Sequence, residues 1–356
     1  MTRIAALVAL VLICSSGSPA TAQDSSYRKS LSLSAEPFAA RTWGKTSYRL
    51  ELRDASAPVG ELSYLASELE YPVNQTMLGV RLNLLSHYEG VGDWRLTLAA
   101  AHSVTNPTGT MYDSDWQTQV GGFDGMFSYT ESSAEGSVVL LDFEAAKRIL
   151  GSRQYSVSLT AGVRYQKIEQ EIDNFAGWQL VGPRLDYVAF SQTGLAALTY
   201  ELTYTWLPVG GVALDWYASD KLSMSAGFGM GRVHAEDIDD HLLRFKLSTA
   251  DGDGYGVLGR VGITLDLPKQ TSGLQPFMGF DVDFMSVKVD GTQVQEWYED
   301  ELGYVYDEAT GDPIIDPETG QPQQEVLAAK GTRITGIPHE FRSTQVSLAL
   351  RFGFTF

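Results

Sequence analysis

Between Lys221 and Leu242 the chain alternates in character at almost every residue, and few folds can use such a segment. Leu222, Met224, Ala226, Phe228 and Met230 take the even positions. Ser223, Ser225, Gly227, Gly229, Gly231, Val233 and Ala235 take the odd ones, followed by Asp237, Asp239 and His241. Side chains alternate across a strand, so this segment has one oily face and one small or polar face. At about 3.3 Å per residue, the two aspartates and the histidine lie roughly 23–36 Å beyond Met230. Such a strand crosses a membrane and carries an acid–histidine cluster well outside it.

The pattern recurs. Tyr155, Val157, Leu159, Ala161 and Val163 alternate with Ser156, Ser158, Thr160, Gly162 and Arg164. Met278, Phe280, Val282 and Phe284 alternate with Gly279, Asp281 and Asp283. At the end of the chain, Val346, Leu348, Leu350, Phe352, Phe354 and Phe356 alternate with Gln345, Ser347, Ala349, Arg351, Gly353 and Thr355. No segment after the first residues has the ~18 consecutive apolar residues of a transmembrane helix, whereas barrel strands need only about 9–11 alternating ones. Soluble β-sandwiches and lipocalin-like barrels also alternate, but their second face is a dry core. Here that face holds Arg164, Asp281, Asp283 and Arg351, which suits a wet lumen. The expected fold is all-β: a transmembrane antiparallel β-barrel of about ten strands with an extended extracellular rim. Short turns near Gly151 and Ser219 belong on one side and long polar stretches on the other. The longest runs from about Asp290 to Pro338, where Thr310-Gly311-Asp312-Pro313 and Thr319-Gly320-Gln321-Pro322 echo each other as local turns.

Residues 1–22 read as a secretory signal: Arg3, an apolar run from Ile4 to Cys14, and a small-residue cleavage site at Ala20-Thr21-Ala22. Ile13 is too large for lipoprotein processing at Cys14. Residues 23–356 then form one barrel domain. Cys14 is the only cysteine, so the exported chain has no disulfide, thiol nucleophile or thiolate metal site. Net charge is −18 for the whole chain and −19 once Arg3 leaves with the signal. Nucleic-acid binding needs a basic face, so it is disfavoured; an acidic surface attracts cationic partners instead. No nucleotide loop or zinc motif appears.

A second acidic pair lies at Met111-Tyr112-Asp113-Ser114-Asp115-Trp116. In an extended segment Asp113 and Asp115 share a face. Alone, an Asp-x-Asp pair is more often a solvated turn or a cation site than a catalytic pair. Together and in order, the motifs resemble those of the omptin family of outer-membrane endopeptidases. Gly44-Lys45-Thr46 resembles the family's first strand, and Ser67-Glu68-Leu69-Glu70-Tyr71 its Ser-x-Leu-acid-aromatic stretch. Met111 to Trp116 resembles its Met-x-Asp-x-Asp-Trp segment, with Ser128 to Ser132 at a compatible distance. Asp237-Ile238-Asp239-Asp240-His241 resembles its Asp-x-Asp-acid-His segment, and Phe352 to Phe356 its closing strand.

The resemblance implies an endopeptidase in which Asp113 and Asp115 form an aspartate pair facing an Asp239–His241 dyad. A histidine of ordinary pKa near 6.5 accepts a proton from water, and the carboxylate beside it orients it. Two close carboxylates cannot both ionise freely, so one is left to hold a proton. The family holds the basic residue before the cut with an Asp and a Glu. Asp237 matches the Asp, and Tyr48 stands where the Glu would be, so a strict arginine preference is not implied. Tyr165, Lys167 and Glu169 share an outward parity and are the candidate lipopolysaccharide contacts. No metal or cofactor is implied, lipopolysaccharide apart; the expected partners are cationic polypeptides and outer-membrane lipid. His102, His234 and His339 read as surface or rim histidines. The alternatives are an inactive omptin-fold adhesin or structural barrel and, behind it, a diffusion channel. Ten strands leave little open lumen, the more so if Arg49, Arg164 and Arg351 point inward.

Overall fold

The computed structural model describes residues 30–53, 63–88, 92–106, 109–120, 123–181, 185–268, 274–307 and 312–356. The signal read at residues 1–22, and the seven residues after it, lie outside them. Strands β1 (Ser30–Arg53), β2 (Ser63–Pro72), β3 (Gln75–Tyr88), β4 (Gly92–Ser103) and β5 (Gly109–Val120) come first. They are followed by β6 (Phe123–Gly151), β7 (Tyr155–Val181), β8 (Asp186–Ser191), β9 (Ala196–Tyr217) and β10 (Leu222–His241). The last are β11 (Lys246–Asp266), β12 (Gln275–Trp297), β13 (Glu301–Tyr304), β14 (Gln324–Ala328) and β15 (Arg333–Thr355).

Ten of these close into a ring, in the order β1-β3-β4-β6-β7-β9-β10-β11-β12-β15, and β15 pairs back onto β1. Every pairing is antiparallel. Nearer the long-loop rim, β2 and β5 replace β3 and β4 between β1 and β6. Strand β6 alone has 29 residues, about three times what crosses a hydrocarbon core. The excess rises above the membrane as a rim. The segment read as a long polar stretch from Asp290 to Pro338 is therefore partly barrel wall, because β12 runs to Trp297 and β15 starts at Arg333. Between them β13 and β14 form a hairpin, and bridges Tyr306–Pro313 and Ile315–Pro322 stack two turns beyond it.

Face alternation follows the sequence. On β10, Phe228 and Met230 are 54% and 55% exposed, while Val233, Ala235, Asp237 and Asp239 on the other parity are buried. On β15, Val346, Leu350 and Phe352 face out, whereas Gln345, Ala349 and Arg351 are buried. Similar residues on β3, β7, β9, β11 and β12 complete an apolar belt with Trp43, Trp94 and Trp216 among its aromatics. One device keeps the faces in order on β9. Leu207 and Pro208 form a bulge, since Trp206 pairs with Val233 but Val209 with Gly231. Proline has no N–H for the ladder and sits where pairing is interrupted. The extra residue lets Trp206 point inward above it and Val212, Leu214 and Trp216 outward below it.

The lumen within the belt is polar and paired. Arg351 contacts Glu36 at 2.7 Å and Asp281 at 2.8 Å, and Arg81 reaches Asp281 at 2.9 Å. Arg164 pairs with Asp142 at 2.7 Å. Arg164 and Arg351 thus point inward, whereas Arg49 pairs with Glu68 at 3.4 Å on the face opposite buried Tyr48 and Leu69. These charges line a cavity of about 430 Å³. Above it the barrel is filled by Trp206, Tyr204, Tyr200, Tyr71, Tyr48 and Phe341, all fully buried. Opposite walls touch directly: Thr46 on β1 meets Tyr204 on β9 at 3.0 Å, and Gln166 on β7 meets Gln345 on β15 at 2.9 Å. The cross-section is therefore flattened and plugged.

Two outcomes follow. Cysteines placed at Val346, Leu350 and Phe352 should carry fluorophores that brominated lipid quenches, with those at Gln345 and Arg351 unquenched. Arg351→Met should cost about 3–5 kcal/mol, because Glu36 and Asp281 lose a buried partner. The urea midpoint of heat-modifiable gel mobility measures that loss.

Candidate active site

Asp113 and Asp115 belong to β5, which runs in the rim between β2 and β6 with Leu69 opposite Asp113 and Ser67 opposite Asp115. Asp237, Asp239 and His241 end β10, and β6, β7 and β9 lie between the two walls. The two motifs therefore come from opposite sides of the barrel. Flattening brings them together: Tyr48, whose hydroxyl bonds Asp239, lies opposite Leu69, and Leu69 lies opposite Asp113, so that Asp113 and Asp239 repel each other and His241 acts favourably on Asp115. Asp240, on the other parity, turns away, and its carboxylate accepts from the Tyr298 hydroxyl at 3.1 Å.

His241 Nε2 lies 3.1 Å from Asp239 Oδ2, and its side chain is 15% exposed. The same carboxylate oxygen accepts the Tyr48 hydroxyl, while Asp239 Oδ1 is buried without a protein partner. With Nε2 donating to Asp239, Nδ1 is the nitrogen left to take a proton. Burial alone would raise Asp239, but the charge and hydrogen bond of His241, with Tyr48 and Lys246, hold it below the usual carboxylate range. Burial lowers His241 and Lys246 adds to this, against the opposing pull of Asp239. The imidazole is therefore neutral at neutral pH and available as a base.

Across the cleft, burial pushes Asp113 well up, and repulsion from Asp115 and Asp239 pushes it further. Burial also raises Asp115, against a hydrogen bond with Ser67 and the charges of Arg244, Lys246 and His241. Asp113 Oδ1 is buried and unpaired. This environment keeps a proton on the aspartate pair at a pH where Asp239 is ionised. Lys246, register partner of His241 at the start of β11, is the cleft's buried cation. Burial lowers it to about 8, and neighbouring Arg244 contributes, although Asp239, Asp113 and Asp115 favour its charge. Arg244 is held at 2.7 Å by Glu301, which also accepts from the Trp297 indole at 2.5 Å. Sequence reasoning did not single out Lys246. The sign was there: a cation five residues past His241, on the strand that returns beside it.

Tyr48 and Asp237 lie deeper. Tyr48 is 2% exposed and gives its hydroxyl to Asp239 rather than standing free beside Asp237. Asp237 is 3% exposed, with His339 Nε2 at 3.4 Å and the Tyr200 hydroxyl at 3.4 Å. Burial raises its pKa, against the influence of His339 and Tyr200. His339 is not a surface or rim histidine: its side chain has no exposure, and its ring packs 4.8 Å from Tyr48 and 4.3 Å from Phe341. The inward parity of Phe341, Ser343 and Gln345, carried two residues further up β15, places it there. His102, beside the Ser103 carbonyl, and His234 are exposed, but His234 does have acidic partners, Glu236 at 3.3 Å and Asp253 at 3.4 Å. Tyr165, Lys167 and Glu169 lie on the outward parity of β7, opposite buried Arg164, Gln166 and Ile168. Lys167 is already paired with Glu169 at 2.6 Å and Glu201 at 2.9 Å.

The chain is similar in structure to the outer membrane protease OmpT from Escherichia coli, with a TM-score of 0.59 at 14% identity, covering 92% of this chain and 99% of that one. That similarity gives the fold: a barrel of the same kind as that outer-membrane protein. Similarity to the toluene transporters TodX of P. putida and TbuX of Ralstonia pickettii is much weaker. For TodX it is 9% identity over 92% of this chain and 90% of that one; for TbuX, 8% over 89% and 88%. Both have TM-scores of 0.25. No protein-family model and no curated protein sequence matches the chain.

The couplings in the cleft can be read by histidine NMR titration. The His241 transition is expected below the usual value of about 6.5. Asp239→Asn should move it lower still, because the carboxylate favours the imidazolium; Lys246→Met should move it up, because the ammonium opposes it.

Proposed function

We propose that this chain, built on the omptin fold, is an outer-membrane endopeptidase whose cleft opens to the cell exterior. One observation carries the reading: Tyr48 bonds Asp239 and stands in register with Leu69 and, through it, with Asp113, so two acidic motifs more than a hundred residues apart in sequence meet at the rim. His241 Nδ1 takes a proton from a water, and the hydroxide attacks the scissile carbonyl carbon. Asp239 orients the imidazole and stabilises its charged form. The proton held on the aspartate pair hydrogen-bonds the oxygen that becomes negative, and Lys246 offsets that charge. The C–N bond then breaks, and the proton on His241 passes to the leaving amine. A chain of net charge −18 draws cationic polypeptides toward this cleft. Tyr165, Lys167 and Glu169 face outward, where lipopolysaccharide sugars and phosphates would lie.

A second reading is an inactive omptin-fold adhesin or structural barrel. The complete burial of Asp239, with its carboxylate bound by the Tyr48 hydroxyl, favours it. The channel reading is opposed by the paired lumen and the aromatic layer above it.

Refolded protein with lipopolysaccharide, tested on quenched fluorescent peptides, separates the first two. His241→Ala should cut turnover by roughly 10²–10⁴-fold with heat-modifiable mobility unchanged. Activity should rise with pH through a transition below the usual histidine range, since His241 works unprotonated and its pKa is lowered. It should fall again above about 8, as Lys246 loses its charge. Absence of cleavage across the peptide set would move the adhesin reading to first place.

A further inference from the structure

The Asp239–His241 dyad has a third member from another strand. Asp239 Oδ2 accepts two hydrogen bonds, one from His241 Nε2 at 3.1 Å and one from the Tyr48 hydroxyl. Asp239 Oδ1 is buried with no protein partner. Among the described residues, His241 and Tyr48 are therefore the hydrogen-bond donors that fix this carboxylate. The torsion that turns an aspartate carboxylate is broad and has little preference of its own. With a single donor on one oxygen the group can turn about that bond; two donors from different directions hold it. Tyr48 supplies the second direction.

The tyrosine is itself held in place. Tyr48 belongs to β1, whereas Asp239 and His241 end β10, whose neighbours are β9 and β11. The hydroxyl thus crosses the flattened lumen from a wall that does not border the dyad's own strand. In its sheet Tyr48 stands in register between Leu69 of β2 and Phe341 of β15, both buried. Its ring lies 6.1 Å from Tyr71 of β2 and 6.1 Å from Tyr200 of β9, and those two rings stack 3.9 Å apart. The His339 ring of β15 packs against it at 4.8 Å. Burial, and then the charge of Asp239, push the phenol well above its ordinary pKa of 10. The hydroxyl therefore stays a donor wherever the dyad titrates.

We infer that Tyr48 is a positioning residue of the dyad: its hydroxyl locks the Asp239 carboxylate, so that His241 is held through Nε2 with Nδ1 left to the cleft. The inference rests on the endopeptidase reading for its catalytic consequence. A second donor also takes up part of the carboxylate's charge. Asp239 then favours the imidazolium less than it would with histidine as its only partner, which helps to keep His241 unprotonated at neutral pH. The other charged groups around the dyad are Asp113 and Asp115 from β5, Lys246 from β11 and Arg244 between β10 and β11. Deeper in the barrel, Asp237 of β10 lies beside His339 of β15 and the Tyr200 hydroxyl of β9. These groups act on the dyad by charge; the direction of the carboxylate is set by its two hydrogen bonds.

The test uses the refolded full barrel with lipopolysaccharide and reads the ring nitrogens of His241 by NMR. Wild type should hold one neutral tautomer, with the proton on Nε2. Tyr48→Phe keeps the ring and removes the hydroxyl. It should mix the two tautomers and raise the His241 transition by roughly half a pH unit or more, because the carboxylate's charge then falls on the imidazole alone. Tyr204→Phe is the control: it removes from the same aromatic layer a hydroxyl bonded to Thr46 at 3.0 Å, and should move neither signal. On quenched fluorescent peptides, Tyr48→Phe should lower kcat by roughly 10–10²-fold with KM little changed. The acid limb of its activity should shift upward together with the His241 transition. Three results overturn the inference: a mixed tautomer in wild type, a His241 that Tyr48→Phe leaves where it was, or an equal shift in Tyr204→Phe. The first needs no variant to fold, and peptide cleavage by wild type would leave the endopeptidase standing in each case. If wild type cuts no peptide and Tyr48→Phe still moves His241 as described, the endopeptidase falls and the positioning of the dyad by Tyr48 stands.

Discussion

A strand that leaves water for hydrocarbon has no solvent to satisfy its N–H and C=O groups, so each must find a partner in the protein. Among the described strands that requirement is met by closure. Ten strands pair in a ring, and β15 lies along β1 from Ser34–Thr355 up to Leu50–His339. Everything else about the molecule depends on this seam. Once the ring is closed, each strand has one face in and one face out. Residues far apart in sequence are forced to share one narrow interior, and the cleft is the top of that interior. Its chemistry follows from which inward residues happen to end each strand.

Much of this was legible in the residues themselves. The alternation on β10 and β15 gave the barrel and its parity, because the oily face must run unbroken across the belt. Asp113, Asp115, Asp239 and His241 stand out through the order in which their motifs resemble those of the omptin family, since an Asp-x-Asp pair alone is more often a solvated turn or a cation site. What strand pairing across the lumen decides was not legible. Tyr48 meeting Asp239, Tyr71 stacking on Tyr200 and His339 closing on Asp237 each join residues more than a hundred positions apart. No local spacing encodes such a contact. His339 differs for another reason: with no acidic partner at a useful spacing it reads as a surface or rim histidine, although the parity of its own strand, shared with Phe341, Ser343 and Gln345, points it inward.

The aromatic layer also changes how the cleft's electrostatics work. The phenols separate the charges of the lumen from those of the rim, so the two polar regions act as distinct compartments. Below, arginines and acids neutralise one another. Above, five acidic or basic groups share a small volume with unequal burial, and their pKa values are pushed apart: Asp113 and Asp115 up, Asp239, His241 and Lys246 down. Groups divided in this way can hold a proton at one place and accept one at another at the same pH.

The contacts among Glu36, Arg81, Asp281 and Arg351 bear on how such a chain assembles. They come from β1, β3, β12 and β15, so the set straddles the seam between the first strand and the last. Until the seam zips shut, each edge of the open sheet carries one acid and one arginine: Glu36 beside Arg81 on the first strands, Asp281 beside Arg351 on the last. Closure adds the two contacts that cross the seam, Arg351 to Glu36 and Arg81 to Asp281, and joins two separate pairs into one four-charge network. A chain lacking its final strand would lose Arg351 and leave Asp281 at its edge without that partner. The last strand thus acts as a latch as well as a wall.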